Sequence, residues 1–384
     1  MSLRITSWVL LFLGTVLQSG IAAVTTPPAP TLPAKAYMLI DANSGLELAA
    51  QRPDERVEPA SLTKIMTAYA VFQEIKAGRI HLDDLVTVSA KAWRTPGSRT
   101  FIEVNKQVPV ETLLQGMIVQ SGNDASVALA EYVAGSEEAF AALMNRYAKD
   151  LGLTGTHYMN STGLPDDNHY TTARDTAMLA RALIRGFPEY YRWYSQKEFT
   201  YNGITQHNRN RLLWRDPSVD GVKTGYTEAA GYCLVASAKR DDMRLISVVL
   251  GADTVAARFR QSQALLNYGF RFFETRHLYD RAKPVTTVRV WEGEAPELAL
   301  GVPQDVYITV PRERSGSLAA TLELSTPVIA PVQKGQPLGK LKIALGDEDL
   351  ASFPLIAMQA VGEGGLWRTL VDRVSLWVGQ LVSD

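Results

Sequence analysis

The 384-residue sequence contains a single cysteine, Cys233, so no disulfide can form within the chain. Basic and acidic residues nearly balance, and the formal net charge of −1 gives no overall positive field that would favour nucleic acid. The five histidines are scattered, without the spacing typical of a zinc site. These shortages argue against a disulfide-stapled module, a nucleic-acid-binding protein and a metalloenzyme. We expect no metal and no cofactor.

Long apolar runs are also missing. The apolar stretch after Arg4, from Trp8 to Val16, is shorter than the roughly 20 residues that a membrane-spanning helix requires. Small residues near Ala22 offer a cleavage site, so residues 1–23 are predicted to be a signal peptide of an exported protein. The alternative is an uncleaved membrane anchor. The remaining chain is long for one core and suggests two domains.

The order of predicted elements indicates how those domains are divided. After a proline-rich lead-in at residues 24–34, residues 35–280 follow a strand–helices–strands order, which is typical of an antiparallel sheet covered by helices. Strands are predicted at 37–40, 46–48, 233–238 and 245–250, and an edge strand around Lys223. Helices are predicted from 61 to before Gly78, and at 110–120, 125–134, 136–151, 172–185 and 259–273.

The C-terminal part of the sequence has a different pattern. Residues 281–361 show short alternating runs punctuated by proline and glycine, which predict a small all-β domain. Residues 362–384 begin with a glycine-rich linker and continue as an amphipathic helical stripe that includes Trp367 and Trp377. The stripe is too polar to cross a bilayer and is suited to lying in a membrane surface. The alternative is a helix that packs on the protein's own core.

Ser61-Leu62-Thr63-Lys64 is the most informative motif, and the sequence contains no other Ser-x-x-Lys. A serine hydroxyl is a weak nucleophile unless a base lies beside it. A lysine three residues later on a helix lies on the same face and can reach that hydroxyl. The motif therefore predicts a nucleophile and its base, although a chain of this length would contain about one such pattern by chance.

Two further motifs follow in order. Ser121-Gly122-Asn123 begins 60 positions after Ser61, and Lys223-Thr224-Gly225 begins 102 positions after Ser121. They supply a second hydroxyl, an amide and a second cation. Gly225 also lies on the predicted edge strand, which a peptide-like substrate can pair with. The three motifs together indicate a serine acyl-enzyme.

These motifs and their surroundings resemble those of the low-molecular-mass penicillin-binding proteins, the serine D-alanyl-D-alanine carboxypeptidases of peptidase family S11. The resemblance extends over the chain after the signal and includes Pro59 to Thr67, Gln120 to Ala125, Thr172 to Asp175, Asn208 to Asn210 and Asp220 to Tyr226. It implies a β-lactamase/transpeptidase-like catalytic domain, followed by a small β-rich domain and a C-terminal amphipathic helix. It further implies removal of the terminal D-alanine from peptidoglycan pentapeptides, and inhibition by β-lactam antibiotics that acylate the enzyme.

The resemblance also implies roles for the catalytic residues. Ser61 is expected to be the nucleophile and Lys64 its general base. Ser121 is expected to pass a proton to the leaving nitrogen. The backbone N–H groups of Ser61 and Tyr226 are expected to form the oxyanion hole; histidine often occupies position 226 in close relatives, so no side-chain role is expected of Tyr226.

Further residues are implied to bind the substrate. Asn123 is expected to hold its amide, while Lys223 supplies positive potential and orients Ser121. Thr224 and Arg258 are expected to meet its terminal carboxylate, with Gly225 beside them on the strand. Arg258 has an alternative interpretation as a surface or helix-capping residue.

Several alternatives share these motifs. A β-lactamase of class A uses an added glutamate for deacylation, but no glutamate occurs between Glu138 and Glu189. A D,D-endopeptidase uses the same site on crosslinked substrates, and an inactive peptidoglycan-binding protein retains only the fold. The signal and the terminal helix predict the outer face of the inner membrane as the location. The sequence does not determine the oligomeric state.

Overall fold

The computed structural model describes residues 26–383, with side chains described up to residue 377. The predicted signal peptide lies outside the described residues. The described chain has three clusters of buried apolar side chains: two on opposite faces of a central sheet, and a third confined to residues 288–361.

The strands of the first region form a five-stranded antiparallel sheet and two separate pairs of short antiparallel strands. The sheet order is β2-β1-β9-β8-β7, with β3-β4 and β5-β6 paired separately. These strands are β1 (Ala36–Asp41), β2 (Glu47–Gln51), β3 (Leu85–Thr87), β4 (Gln107–Pro109), β5 (Glu198–Tyr201), β6 (Ile204–His207), β7 (Val219–Thr227), β8 (Gly231–Arg240) and β9 (Met243–Ala252).

Helices cover both faces of this sheet. They are α1 (Thr63–Lys76), α2 (Ala90–Arg94), α3 (Val110–Val119), α4 (Asn123–Ala134), α5 (Glu137–Asp150), α6 (Ala173–Gly186), α7 (Pro188–Tyr191) and α8 (Val255–Phe272). Alternation along β1 shows how the layers form. Met38 and Ile40 pack into the cluster that contains α1, whereas Leu39 packs into the cluster that contains α8.

The second region is a separate all-β domain, as the sequence predicted for residues 281–361, but it begins earlier because Phe273–Tyr279 form a strand that pairs with Val306–Pro311. Its strands are β10 (Phe273–Tyr279), β11 (Thr286–Trp291), β12 (Glu297–Gly301), β13 (Val306–Pro311), β14 (Leu318–Leu324), β15 (Val328–Ile329), β16 (Pro337–Leu345) and β17 (Glu348–Ala357). β10 pairs with β13, and the others form a six-stranded sheet in the order β14-β16-β17-β12-β11-β15.

Helix α9 (Leu366–Ser383) follows this domain. Among the helices within residues 26–383, none has both the length and the apolar composition needed to cross a membrane. The residues before α9 are hydrogen-bonded and are not the free linker that the glycines suggested. Gly364 N donates to Glu292 O at 2.7 Å, and Gly362 N donates to the Glu294 carboxylate at 3.0 Å.

The predicted order of strands and helices is confirmed, but some bounds and elements differ. The last helix of the first region begins at Val255, not near 259, because Thr254 caps it by accepting from Ala257 N. The β5-β6 hairpin and the short helix α2 lack strong periodicity and were not predicted. Both lie in the segments that surround the site described next.

Candidate active site

Ser61 lies at the point where the chain enters its first long helix. A 3-10 turn, Ala60–Leu62, leads directly into α1, and the first N–H groups of such a turn have no partner within the helix. Lys64, the second residue of α1, is 1% exposed, and its Nζ lies 3.1 Å from Ser61 Oγ. The structure therefore brings the predicted nucleophile and base into direct contact.

Lys64 has two stronger partners besides Ser61. Its Nζ donates to Asn123 Oδ1 at 2.7 Å and to the carbonyl oxygen of Thr162 at 2.6 Å. Burial and the nearby positive charge of Arg209 lower the pKa of Lys64 to about 7. A neutral amine has two N–H groups and one lone pair. With both N–H groups engaged by Asn123 and Thr162, the lone pair is left for the Ser61 hydroxyl.

The second motif lies in the sharp connection between α3 and α4. Ser121 has φ 71°, and Asn123 is the first residue of α4. Gly122 is required here because a Cβ at this position would lie 2.0 Å from Thr100 Oγ1. The close approach explains why the middle position of this motif is glycine. Asn123 also donates from Nδ2 to Pro96 O at 2.6 Å, so both ends of its amide are fixed.

Asp124 holds the segment that faces this motif, although no role was predicted for it. Its carboxylate is fully buried and accepts from the backbone N–H groups of Thr100 at 2.8 Å and Phe101 at 2.9 Å. A carboxylate that accepts several backbone N–H groups fixes the chain around it. Asp124 thereby positions the loop that supplies the Pro96 carbonyl to Asn123.

The third motif lies on β7, which is the predicted edge strand of the sheet. Gly225 permits this strand to approach the nucleophile turn, since a Cβ here would lie 3.2 Å from both Ala60 Cβ and Pro59 O. Thr224 and Lys223 are buried. Burial, followed by the positive charges of Lys64, Arg209 and Arg258, holds the pKa of Lys223 well below its usual value.

Ser121 and Lys223 are not joined by a hydrogen bond. The Ser121 hydroxyl is buried without a partner among the described residues. Lys223 Nζ donates to the Thr224 carbonyl at 3.2 Å. The predicted orientation of Ser121 by Lys223 thus has no direct contact behind it in this structure, and the free hydroxyl remains available to a bound molecule.

Arg258 is a buried residue of α8, so its interpretation as a surface arginine is wrong. It is 8% exposed, and its Nη1 donates to the carbonyl oxygen of Gly225 at 3.2 Å. Its guanidinium lies 5.7 Å from the ring centroid of Tyr232, which in turn stacks on Tyr226 at 4.4 Å. Tyr226 is 55% exposed, and its ring packs on Tyr232 at the rim of the site.

Arg209 is the fourth basic residue of the site, and no role was predicted for it beyond its place in the segment Asn208 to Asn210. It donates from Nε to Gln120 O at 3.1 Å, directly beside Ser121. Its charge lowers the pKa of both Lys64 and Lys223. The neighbouring Asn210 fixes it to the strand, since Asn210 Nδ2 donates to Gly221 O at 2.8 Å. No sequence signal pointed to this role, because the proximity of Arg209 to the two lysines depends on the fold.

The loop at residues 160–164 presents the carbonyl of Thr162 to Lys64. Asn160 Oδ1 accepts from Thr162 N at 3.1 Å and from Gly163 N at 2.8 Å, which closes a tight turn. Gly163 has φ +82°, and a Cβ at this position would lie 1.7 Å from Ala60 O. Only glycine permits this contact between the loop and the nucleophile turn.

Comparison with known proteins identifies the family. Residues 23–254 match the D-alanyl-D-alanine carboxypeptidases of peptidase family S11, and residues 273–363 match the C-terminal domain of penicillin-binding protein 5. This chain belongs to the S11 family. It is a serine-type hydrolase with the penicillin-binding, transpeptidase-like fold. In the described residues, no group of three or more potential ligands could hold a metal ion.

Two of the similar proteins match most of the length of this S11 chain, and a third matches a smaller part of it. It is 46% identical over 377 residues to D-alanyl-D-alanine carboxypeptidase DacC of Escherichia coli (strain K12), covering 95% of this chain and 94% of the relative. Penicillin-binding protein 5 from Haemophilus influenzae superposes with a TM-score of 0.81 at 44% identity, covering 88% of this chain and all of that one. A Listeria monocytogenes penicillin-binding protein in the ampicillin-bound form has a TM-score of 0.59 at 31% identity, covering 63% and 100%.

Proposed function

We propose that this D-alanyl-D-alanine carboxypeptidase removes the C-terminal D-alanine of peptidoglycan pentapeptides through an acyl-enzyme on Ser61. The observation that carries the proposal is the set of contacts at Lys64. Two short hydrogen bonds to Asn123 Oδ1 and Thr162 O occupy its N–H groups, and the pKa near 7 makes the neutral amine available at physiological pH.

The proposed reaction consists of acylation of Ser61 and hydrolysis of the resulting ester. Lys64 Nζ takes the Ser61 proton as Ser61 Oγ attacks the carbonyl carbon of the penultimate D-alanine. The backbone N–H groups of Ser61 and Tyr226 stabilise the oxyanion. The C–N bond breaks and D-alanine departs as Ser121 gives its proton to the leaving nitrogen and takes the proton that Lys64 had accepted, which leaves Lys64 neutral again. Lys64 then takes a proton from the water that attacks the ester carbonyl, and returns it to Ser61 Oγ as the C–O bond breaks and the shortened peptide is released.

A cluster of four basic side chains, in which the two arginines stay charged when Lys64 is neutral, favours a free C-terminal carboxylate as the substrate group. The charges that act most strongly on Lys223 are all positive, those of Lys64, Arg209 and Arg258. Such a cluster is repulsive until an anion enters it. A terminal carboxylate beside Thr224 supplies that anion, and its binding places the scissile amide over Ser61.

β-Lactams are proposed to acylate the same serine, in line with relatives crystallised in ampicillin-bound and cefotaxime-bound forms. No glutamate occurs between Glu138 and Glu189, so the glutamate with which class A β-lactamases activate the deacylating water has no counterpart in that part of the sequence. We therefore expect a long-lived penicilloyl-enzyme. The names of the close relatives favour the carboxypeptidase over a β-lactamase or endopeptidase.

The C-terminal helix is proposed to hold the enzyme at the outer face of the inner membrane. The polar side of α9 faces the β domain: the buried Asp372 accepts from Glu292 N at 2.8 Å and from Arg289 at 3.2 Å. Its apolar side chains point away from the protein, with exposed fractions between 51% and 93%. They are Leu366, Trp367, Leu370, Val371, Val374 and Trp377. A stripe of this kind suits the interfacial zone of a bilayer.

The test of the function compares wild type with Ser61→Ala on a pentapeptide ending in D-Ala-D-Ala, with products identified by mass spectrometry. Wild type should release one D-alanine and gain the mass of a penicillin when incubated with it. Ser61→Ala should do neither while unfolding at the wild-type temperature. Labelling of the Ser61→Ala variant at another residue would overturn the assignment of the nucleophile.

A further inference from the structure

Glu137, the first residue of α5, contacts the loop at residues 160–164 and has no role in the proposed reaction. Its carboxylate accepts two hydrogen bonds from one residue, from Ser161 N at 3.1 Å and from Ser161 Oγ at 2.8 Å. Its other oxygen lies 3.2 Å from Lys91 Nζ. The side chain is 13% exposed, so these bonds are largely protected from water.

The contacts of Glu137 lead directly to the base. Ser161 O accepts from Thr67 Oγ1 at 2.7 Å, and the next carbonyl, that of Thr162, accepts from Lys64 Nζ at 2.6 Å. Lys64 and Thr67 lie one turn apart on α1, and they donate hydrogen bonds to two consecutive carbonyl oxygens of one short segment. Glu137 accepts hydrogen bonds from Ser161 in the same segment, so the position of the neighbouring Thr162 carbonyl depends on Glu137.

Charge provides a second link. The charged and titratable groups around Lys64 come from five elements or loops: Asp124 on α4, Glu137 on α5, His169 in the following loop, Arg209 and Lys223. Asp124 and Glu137 favour the protonated amine, whereas Arg209 opposes it. Asp124 cannot be changed without releasing the backbone that it holds. A glutamine at position 137 retains an acceptor for Ser161 and removes only the charge.

We propose that Glu137 is a positioning residue that holds the Thr162 carbonyl against Lys64 and, through its charge, sets the lower end of the pH range in which Ser61 is acylated. The proposal rests on the proposed role of Lys64 as the base. Glu137 touches neither the substrate nor the reacting atoms. Its effect is exerted on the geometry and protonation of Lys64.

The test is the pH dependence of acylation by a fluorescent penicillin, measured from pH 5 to 10 in wild type, Glu137→Gln and Glu138→Gln. Glu138 is the matched control because it also pairs with Lys91, at 3.0 Å, but is 76% exposed and does not bond Ser161. Loss of the Glu137 charge disfavours the protonated amine, so the acid-side midpoint should fall by about half a pH unit. The plateau rate should stay within twofold, and Glu138→Gln should match wild type.

A third variant, Glu137→Ala, tests the positioning itself. It should lower the plateau rate about tenfold, because the freed Thr162 carbonyl no longer orients the amine. A wild-type midpoint in Glu137→Gln, or an equal shift in Glu138→Gln, would overturn the proposal even if Glu137→Ala failed to fold. Absence of any Ser61 labelling in wild type would instead reject the acyl-enzyme on which the proposal depends.

Discussion

The catalytic region and the C-terminal β domain treat buried polar groups in opposite ways. In the catalytic region, Lys64, Lys223 and Arg258 are all less than 10% exposed, and burial together with neighbouring positive charge lowers the pKa of each. From residue 281 onward, the buried polar side chains among the described residues are Thr309, Ser315 and Asp372, and Asp372 has charged and backbone partners. The catalytic region therefore contains buried basic groups that disfavour one another's protonation, whereas the buried carboxylate next to the β domain is paired.

Non-glycine residues with positive φ occur in both regions, including Glu292 (φ 58°) in the β domain, but two of them lie beside or within the catalytic motifs. Ala60 and Ser121, which flank or belong to the catalytic motifs, have φ values of 48° and 71°. Non-glycine residues in this conformation are disfavoured and persist where the surroundings fix them. The β domain instead alternates buried and exposed residues along strands such as β16. The difference teaches that the catalytic region holds strained residues within its reactive motifs, whereas the β domain has no catalytic motif for its strained residue to serve.

The largest expected effect comes from adding one methyl group to a positive-φ glycine in each region. Gly163→Ala forces a Cβ into Ala60 O, whereas the Cβ of Gly335→Ala, at φ +85°, meets nothing within 4 Å. Gly335→Ala should lower the free energy of unfolding by about 1 kcal/mol, the cost of the left-handed conformation. Gly163→Ala should lower the free energy of unfolding by roughly 3 kcal/mol more, because the new methyl group overpacks the site, and it should reduce the rate of acylation by penicillin more than tenfold.

Urea denaturation of both variants, together with their acylation rates by penicillin, measures this contrast. The two substitutions are chemically identical and differ only in what the new methyl group meets. Equal destabilisation would show that the contact between the 160–164 loop and the nucleophile turn is not under the constraint described here. Normal acylation by Gly163→Ala would show that the Thr162 carbonyl does not depend on that contact.

A smaller effect is expected from removing one cation of the repulsive cluster. The charge of Arg209 lowers the pKa of Lys64, so Arg209→Gln should raise that pKa above about 7. Since Lys64 acts as a base only when neutral, the acid-side midpoint of kcat/KM should move upward by about half a pH unit. The KM for a peptide with a free C-terminal carboxylate should rise about tenfold because a partner of that carboxylate is lost.

Arg215→Gln is the control, because Arg215 is also exposed and lies six residues away, and its charge is not among those that act on Lys64, Lys223 or Arg258. It should change neither the midpoint nor KM. A downward shift of the Arg209→Gln midpoint would contradict the sign of the charge effect. An unchanged KM would remove Arg209 from the carboxylate site and leave that role to Thr224 and Arg258.

Much of this contrast could be predicted from local sequence. Periodicity was sufficient to find α1, α3 to α6 and the strands β8 and β9, and the alternating pattern after residue 281 predicted the all-β domain. The motifs predicted the contact of Lys64 with Ser61, which the structure shows, whereas the predicted orientation of Ser121 by Lys223 has no direct hydrogen bond. The β5-β6 hairpin was missed because its strands, Glu198–Tyr201 and Ile204–His207, are mostly exposed and lack a clear apolar face.

The remaining site residues could not be predicted because their roles depend on contacts between distant segments. Glu137 matters through Ser161, and Asp124 through Thr100, each more than 20 positions away. A glutamate in the first turn of a helix is common and carries no signal of its own. The same holds for Arg209, whose proximity to two lysines on different elements becomes visible only in the folded chain.

The smallest effect on chemistry is expected from deleting residues 363–384, which removes α9. Its contacts are with the β domain, through Asp372, Arg373 and the turn at 292–294, and these lie outside the catalytic region. Hydrolysis of a soluble pentapeptide should therefore stay within twofold of wild type, while cosedimentation with phospholipid vesicles should be lost. Trp367→Glu in the full chain should weaken vesicle binding without abolishing it, since other apolar side chains remain exposed. Continued cosedimentation of the deletion variant would show that another surface binds the membrane, and a large loss of hydrolysis would contradict the separation of the two regions.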